Sequence, residues 1–259
     1  MIILIFSILG LSFGSFISML SYRLPLNLDI FYQRSHCTSC KQNLGFLDLV
    51  PLFSWLANNG KCRYCGAKIH FRYPLIEIST AFLFLFTVIS IGINIYTVTI
   101  LALIVILITM SVIDFEHYII PDSLQIILLI IALIWSYLTN YPFNAVLLSA
   151  SCGFLSSYII AKLFKFFRKK EGLGFGDVKF ITIAAIFLGY KNLVFFYLLS
   201  GLFGVANGLI WQHLFKKSLF PFGPSLALSL FLCLIIPFFF SNIYISTVDI
   251  TDLIIRLIY

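Results

Sequence analysis

Long apolar runs dominate the chain, and short polar segments separate them. An α-helix needs about 20 apolar residues to cross a bilayer. The pattern therefore predicts an all-α polytopic membrane protein with about eight transmembrane helices. The predicted helices lie near residues 1–20, 74–92, 96–113, 123–139, 143–163, 178–190, 193–212 and 224–242.

The composition of the chain favours lipid as its solvent. Hydrophobic residues make up 61% of the 259 residues, charged residues make up 10%, and the mean hydropathy is +1.06. A soluble domain carries about 25% charged residues. A chain of this composition cannot hide its apolar surface from water, so a lipid bilayer is the expected partner.

The basic residues predict the orientation of the chain in the membrane. The first one, Arg23, follows the first apolar run, whereas a cleaved signal peptide has basic residues before its apolar run. We therefore expect a retained first helix with its N-terminus outside. All other lysines and arginines except Lys191 and Arg256 then fall in cytoplasmic loops, as the positive-inside rule requires. This topology explains the net charge of +7, and no nucleic-acid partner is expected.

Residues 21–73 form a long polar insert between the first two predicted helices. The insert contains two C-x-x-C pairs, Cys37 with Cys40 and Cys62 with Cys65. Two such pairs at this spacing are typical of a tetrahedral zinc site with four thiolate ligands. Four protein ligands leave no position for water, so the zinc ion is expected to be structural. A small insert with little core of its own needs such a cross-link.

Two disulfides are the alternative use of these cysteines. The predicted orientation places the insert in the cytoplasm, where disulfides rarely persist, so zinc is favoured. His36 and His70 flank the pairs and are alternative ligands, although a surface role is favoured for both. Cys152 and Cys233 lie in apolar runs and are predicted to be packing residues.

Three carboxylates lie in or at the cytoplasmic edge of the predicted helices: Glu77, Asp114 and Asp177. Carboxylates in a membrane are costly and usually functional. Asp122 lies in the turn after the third predicted helix, where it or Ser123 would cap the next helix.

Asp177 belongs to the stretch GFGDVK, residues 174–179. A helix cap alone would explain an aspartate here. However, Gly174 and Gly176 are more permissive than a cap requires, and they would let the backbone unwind and approach another chain. Asp114 is expected on the same membrane face. Two carboxylates in one desolvated site do not both ionise easily, so one can keep a proton while the other acts as a general base. This is aspartic protease chemistry.

The chain resembles the bacterial type 4 prepilin peptidases (prepilin leader peptidase/N-methyltransferases), which share a GxGD motif with archaeal preflagellin peptidases and presenilins. The matching stretches are GSFISMLSYRLP, SHCTSC, PLFSWLANNGKCRYCGAKIHFRYPLIE, IDFEHYIIPD, GFGDVK and PFGPSLA. They extend from residue 14 to about residue 227, and their order is highly specific. One departure is Ser18, where the family usually has asparagine.

The resemblance implies an intramembrane aspartic endopeptidase in the bacterial inner membrane. Its catalytic residues would be Asp114 and Asp177, supported by Gly174 and Gly176. The substrate would be a type IV prepilin or pseudopilin, cleaved after a glycine at the cytoplasmic face to remove a short basic leader. Many family members then methylate the new N-terminal amine with S-adenosylmethionine.

The resemblance also suggests a division of the chain into three parts. Residues 1–20 would form the first transmembrane helix, and residues 21–73 the cytoplasmic zinc-binding insert associated with the methyltransferase. Residues 74–259 would form the transmembrane peptidase core. The sequence does not predict which residues bind S-adenosylmethionine. Glu77 follows RYPLI and could hold the insert against the membrane core or belong to a site.

Two other functions are compatible with parts of the pattern. A transporter or channel could use Asp114 and Asp177 for ion coupling. Transporter sites lie near the membrane midplane between inverted repeats, whereas both aspartates lie at one face and no such repeat is evident. An inactive zinc-bearing scaffold for pilus assembly is the other alternative, and the presence of both aspartates argues against it.

Overall fold

The computed structural model describes residues 1–30, 32–169, 172–216 and 219–244. Within these ranges the regular structure is helical, with two isolated antiparallel bridges and no strand. Lys170, Glu171, Lys217 and Arg256, which contribute to the predicted charge distribution, lie outside the described residues. The described α-helices are α1 (Ile2–Arg23), α2 (Phe53–Ala57), α3 (Arg72–Ile91), α4 (Ile95–His117), α5 (Asp122–Leu138), α6 (Phe143–Arg168), α7 (Phe175–Leu188), α8 (Leu193–Phe215) and α9 (Gly223–Tyr244).

Each of the eight predicted membrane segments coincides with one helix, α1 or one of α3 to α9, so the all-α polytopic fold class is confirmed. In the described part of the chain, five helices are long and apolar enough to cross a membrane. They are α1, α3, α4, α6 and α8, the last together with the 3₁₀ turn that precedes it. The helices α5 and α9 are shorter apolar helices by the same measure, and α7 has 14 residues.

The turn between α4 and α5 corrects one prediction. The helix α4 ends where Tyr118 adopts a left-handed conformation with φ 57°, and α5 begins at Asp122 directly after Pro121. No side chain caps α5, so the predicted capping role of Asp122 or Ser123 is wrong. The carboxylate of Asp122 instead contacts Lys179 Nζ at 2.7 Å.

The helices α1 and α3 pack backbone against backbone. A Cβ atom added at Gly10 would lie 2.5 Å from Cα of Ala81, and one added at Gly14 would lie 2.5 Å from Cα of Glu77. Real side chains cannot approach so closely, so this helix pair depends on both glycines. Small residues allow such close approach between helices in membranes.

The helix α4 lies at the centre of the bundle. Its inner residues, among them Ile100, Leu103 and Ile113, are completely buried. It packs against α1, α3, α5 and α9. Both α5 and α9 also pack against α7, so these two helices connect α4 with α7.

Polar contacts gather several helix termini at one end of the bundle. Arg72 at the start of α3 donates to Ser21 Oγ near the end of α1 at 2.6 Å and pairs with Glu116 near the end of α4 at 2.9 Å. The ion pair between Lys179 and Asp122 joins the starts of α7 and α5. Because the insert enters and leaves the bundle here, we call this the insert end.

Candidate functional site

Asp114 lies in the last turn of α4 at the insert end, and its residue surface is 6% exposed. Its Oδ2 atom accepts the backbone N–H of Gly223, the first residue of α9, at 2.7 Å. The helix ends a few residues later, so the carboxylate lies where the bundle opens toward the loops. A carboxylate with few partners in such surroundings is costly, which fits a functional role.

Asp177 is the third residue of α7, and its side chain is half-buried. Its Oδ2 atom accepts the backbone N–H of Gly174 at 2.9 Å. The aspartate therefore reaches back to the residue before the helix, as a capping-box carboxylate does. A capping role therefore accounts for only one of the two carboxylate oxygens of Asp177.

The structure brings Asp114 and Asp177 to the same end of the bundle. Asp114 lies near enough to Asp177 for an electrostatic effect on its carboxylate. The two helices that carry them, α4 and α7, are connected mainly through α5 and α9, which pack against both. Each carboxylate has one oxygen held by a backbone N–H. Among the described residues, no further hydrogen bond to either carboxylate is present. Both retain an oxygen that can bind water or a peptide group.

The two glycines of the GFGD stretch have ordinary backbone conformations. Gly174 has φ −70°, and Gly176 lies within the regular first turn of α7. The surroundings of both glycines leave little room for a side chain. A Cβ at Gly174 would lie 3.3 Å from Asp177 Oδ2, and one at Gly176 would lie 3.4 Å from Ile120 Cβ. The unwinding predicted here is not seen in this structure, in which α7 begins regularly at Phe175.

Two further residues shape this site, and sequence reasoning gave neither of them a role. Gly223 belongs to the matching stretch PFGPSLA, but nothing local shows that its N–H reaches Asp114. Gln125 is 4% exposed and donates from Nε2 to the carbonyl oxygen of Gly176 at 2.9 Å. A glutamine one turn inside an apolar helix was the available signal, since buried amides need a partner.

The two C-x-x-C pairs form matching turns in the insert. The backbone N–H of Cys37 donates to Gln42 O, and that of Cys62 donates to Ala67 O, the residue five positions ahead in each case. The fifth residue of each turn has a positive φ: 60° at Lys41 and 70° at Gly66. Glycine adopts this conformation without steric cost at Gly66, whereas Lys41 adopts it with a side chain.

These turns bring the four Sγ atoms of Cys37, Cys40, Cys62 and Cys65 within 4.8 Å of one another. A tetrahedral zinc ion with Zn–S bonds of about 2.3 Å separates its sulfur atoms by about 3.8 Å. Cys37 Sγ and Cys65 Sγ lie 3.9 Å apart, and all four cysteines are free, so the predicted disulfide alternative is not what the structure contains. Backbone hydrogen bonding from Cys40 lowers the pKa of the Cys37 thiol to about 6. The backbone hydrogen bond from Ala67 acts in the same direction on Cys65, but desolvation and the neighbouring cysteine side chains raise the pKa of that thiol to about 11.

The two flanking histidines lie outside the cysteine cluster. His36 Nδ1 lies 3.3 Å from Arg34 O, and His70 Nδ1 accepts the backbone N–H of Arg72 at 3.1 Å. Cys233 is buried among the apolar residues of the core, as predicted for a packing residue.

Glu77 links the insert to α3. Its Oε2 atom accepts the backbone N–H of Leu52 at 2.7 Å, and its residue surface is 6% exposed. Leu52 is the residue before α2 and has a positive φ of 61°. The carboxylate therefore holds the insert against the bundle, which is one of the two roles expected from the sequence.

These features define a class: a polytopic helical membrane protein with two carboxylates at one end of the bundle and a four-cysteine insert beside them. Comparison with known proteins identifies the family. Residues 8–91 match the bacterial peptidase A24 N-terminal domain, and residues 101–209 match the type IV leader peptidase family. The chain belongs to the type IV leader peptidase family, so the membership expected from the resemblance is confirmed.

Several relatives named prepilin leader peptidase/N-methyltransferase align with most of the chain. The protein from Pectobacterium carotovorum subsp. carotovorum is 30% identical over 246 residues, which cover 85% of this chain and 88% of the relative. That from Aeromonas salmonicida (strain A449) is 30% identical over 269 residues, or 92% of each chain. That from Xanthomonas campestris pv. campestris is 32% identical over 250 residues, covering 85% and 86%. No solved structure matches the chain.

Proposed function

We propose that this protein cleaves the short basic leader from type IV prepilins or pseudopilins after a glycine, using Asp114 and Asp177. The observation that carries the proposal is that both carboxylates lie at the insert end of the bundle, where Asp114 is 6% exposed and lies near enough to Asp177 to affect it electrostatically. The family and the names of the relatives supply the substrate class.

The mechanism follows from the shared environment of the two carboxylates. Two nearby carboxylates with little water are most stable with one proton between them. The ionised one takes a proton from water, and the water oxygen attacks the scissile carbonyl carbon. The protonated one hydrogen-bonds to the carbonyl oxygen and supports the developing charge. When the C–N bond breaks, the aspartate that took the proton from water gives it to the amine, which leaves as the new N-terminus of the pilin. The carboxylate pair is then left with one proton, as at the start.

The backbone N–H groups of Gly223 and Gly174 orient the reacting carboxylates. Each donates to Oδ2 of one aspartate and leaves the other oxygen toward the substrate. Carboxylates that are held in position contribute to catalysis, because their orientation is fixed before the substrate binds. We propose supporting roles for Gly174 and Gly176, whose small size leaves space beside Asp177 and Ile120.

In the described part of the chain, the two acidic residues flanking the site are already paired with basic residues. Glu116 pairs with Arg72, and Asp122 pairs with Lys179, so both carboxylates are already neutralised. Glu171 lies outside the described residues, and among the described residues the acidic groups that remain at the site are Asp114 and Asp177. We propose that the leader is recognised by its place at the membrane surface and by the ionised member of this pair.

We further propose that the protein methylates the new N-terminal amine with S-adenosylmethionine. The relatives are named N-methyltransferases, and the methyl donor is the one that the family resemblance implies. In this proposal residues 1–20 form the first transmembrane helix, residues 21–73 the methyltransferase-associated insert, and residues 74–259 the peptidase core. The insert holds a structural zinc ion on its four cysteines. The protein lies in the inner membrane with its N-terminus outside and its insert end in the cytoplasm, in agreement with the distribution of basic residues.

The test is to reconstitute the protein with a prepilin substrate and to compare the cleavage rates of the wild type, Asp114→Asn and Asp177→Asn. Each substitution keeps the shape of the side chain and removes the acid, so cleavage is expected to fall at least about a thousandfold. Asp122→Asn is the matched control, because Asp122 lies at the same end but is exposed and paired with Lys179. Cleavage that survives both site substitutions would contradict the assignment.

A further inference from the structure

One segment of the insert, residues 46–57, carries large apolar side chains on its outer surface. Phe46, Leu47, Phe53 and Leu56 are each more than half exposed. Single exposed apolar residues are normal on a protein surface, but a group of four in one short segment marks a surface that contacts something other than water. We call residues 46–57 the apolar loop.

The short helix α2 in the apolar loop has two different faces. Ser54 and Trp55 are half-buried and line the space between the insert and the ends of α1 and α3. Phe53 and Leu56 lie on the other face and do not line this space. A helix on a water-exposed surface has the opposite arrangement, with its polar residues outward and its apolar residues inward.

The single charged residue of the apolar loop is also turned inward. Asp48 lines the same enclosed space, and its Oδ2 atom accepts the backbone N–H of Gly45 at 3.0 Å and the hydroxyl group of Tyr64 at 3.2 Å. Both partners belong to the insert itself. The outer surface of the loop therefore consists of apolar side chains, without a charge among them.

The apolar loop lies beside the first turns of α3, a helix that is long and apolar enough to cross a membrane. The backbone N–H of Leu52 donates to Glu77 Oε2 at 2.7 Å. Glu77 lies five residues after Arg72, the first residue of α3, which corresponds to about 7.5 Å along the helix axis. Because helical side chains point back toward the N-terminus, Leu52 lies at the level of the first two turns of α3.

The outer surface of α3 continues into the apolar loop. The exposed residues of α3 and its N-cap include Phe71, Leu75, Ile78 and Phe82, which recur at helical spacing and so form one stripe. On a helix that crosses a membrane, such an exposed apolar stripe faces lipid. Trp55 of the loop makes an edge contact with Phe71 at the start of the stripe, with ring centroids 5.8 Å apart.

We infer that the apolar loop is inserted into the membrane leaflet at the insert end, with Phe46, Leu47, Phe53 and Leu56 in contact with phospholipid acyl chains. Apolar side chains of interfacial segments bind membranes in this way, at the boundary between headgroups and acyl chains. The insert is then held at the membrane twice, by the Leu52–Glu77 hydrogen bond and by the loop. The inference rests on the membrane-spanning helices and does not depend on the proposed activity.

The depth of the loop is measured with a fluorescent amino acid placed at position 53 or 56 of the full-length, zinc-loaded protein. The protein is held as single copies in nanodiscs of phosphatidylethanolamine and phosphatidylglycerol. Phospholipids brominated on the acyl chains should quench most of the fluorescence at both positions, and acrylamide in the water should quench little of it. Position 33 is the control, since Gln33 is an exposed polar residue of the insert outside the loop. The two quenchers should have the opposite effects there.

Phe53→Asp tests whether the apolar side chains hold the loop in the leaflet. A carboxylate among acyl chains is costly, so a probe at position 56 should lose quenching by brominated lipid and gain quenching by acrylamide. Gln33→Asp is the matched control, because it adds the same charge outside the loop, and it should change neither. Zinc content is measured on each variant. If Phe53→Asp loses its zinc, Phe53→Asn, which is polar but uncharged, takes its place.

Other occupants of this surface give different results. Strong quenching by acrylamide at positions 53 and 56 of the otherwise unchanged protein would place the loop in water and overturn the inference. Quenching by neither agent would show that protein covers the loop, with the same consequence. Protection from acrylamide that requires two copies in each nanodisc would assign the surface to a second copy. Protection that requires added prepilin would assign it to the substrate, and either result would overturn the lipid contact.

Discussion

The backbone N–H of Gly223 donates to Oδ2 of Asp114 at 2.7 Å across 109 positions of sequence. The bond ties the start of α9 to the end of α4. A Cβ added at Gly223 would lie 2.8 Å from the same oxygen. Glycine is therefore required here by steric space, because any side chain would displace the carboxylate that it holds.

Gly223→Ala is predicted to lower prepilin cleavage more than stability. The methyl group would displace Asp114, and misplacement of a reacting group by about 1 Å can lower the rate about a hundredfold. The measurement is kcat/KM with a prepilin substrate, together with the unfolding temperature. Gly201→Ala is the control, since a Cβ there would meet nothing within 4 Å. Unchanged cleavage in Gly223→Ala would show that this contact does not position Asp114.

Gln125→Leu is predicted to loosen the start of α7. The substitution removes the hydrogen bond to Gly176 O, and such a bond contributes about 1 kcal/mol net. The unfolding temperature and kcat should both fall, because Asp177 follows Gly176 directly. Gln212→Leu, at an exposed position of α8, provides the same change of residue away from the site. Equal effects of the two substitutions would argue against a positioning role for Gln125.

Cys62→Ser is predicted to lower the zinc content of the purified protein. The substitution leaves three thiolates where a structural zinc ion needs four ligands. Elemental analysis of the protein should show one zinc ion in the wild type and much less than one in the variant. Cys233→Ser, which changes a cysteine in the helical core, should leave the zinc content unchanged. Equal zinc in all three proteins would contradict the four-cysteine site.

Lys41→Gly is predicted to stabilise the insert. Lys41 has φ 60°, and a left-handed conformation costs a residue with a side chain about 1–2 kcal/mol. Glycine loses about 0.5–1 kcal/mol of backbone entropy, so the net gain should be about 0.5–1 kcal/mol. The rate of zinc loss to a chelator should decrease. Gly66→Ala, at the matching position of the second turn, should increase it. The same sign for both would contradict the equivalence of the two turns.

The helical fold was predictable because each helix carries its own signal in the sequence. A long apolar run and its flanking charges are local features, and every predicted segment corresponds to a helix. The cysteine turns were predictable for the same reason, since each ligand pair lies in one short stretch. Counting membrane crossings from the N-terminus also predicts that Asp114 and Asp177 lie at the same end of the bundle.

The contacts that shape the site were not predictable, because they join residues far apart in the sequence. Gln125 is 51 positions from Gly176, and Arg72 pairs with Glu116 across two helices. Asp122 shows how a prediction from neighbouring residues alone can fail. Its place before a helix predicted a cap, but the side chain found a partner, Lys179, on another helix.

The close packing of α1 against α3 at Gly10 and Gly14 has a consequence for the insert. Residues 24–71 leave the bundle and return to it at two points that the helix pair and the Arg72–Ser21 bond already hold together. Closing this loop therefore adds little to the cost of folding the helices. The insert is in this sense a module: a short linker could replace it while α1 and α3 stay in place, and a peptidase without the insert becomes an accessible design.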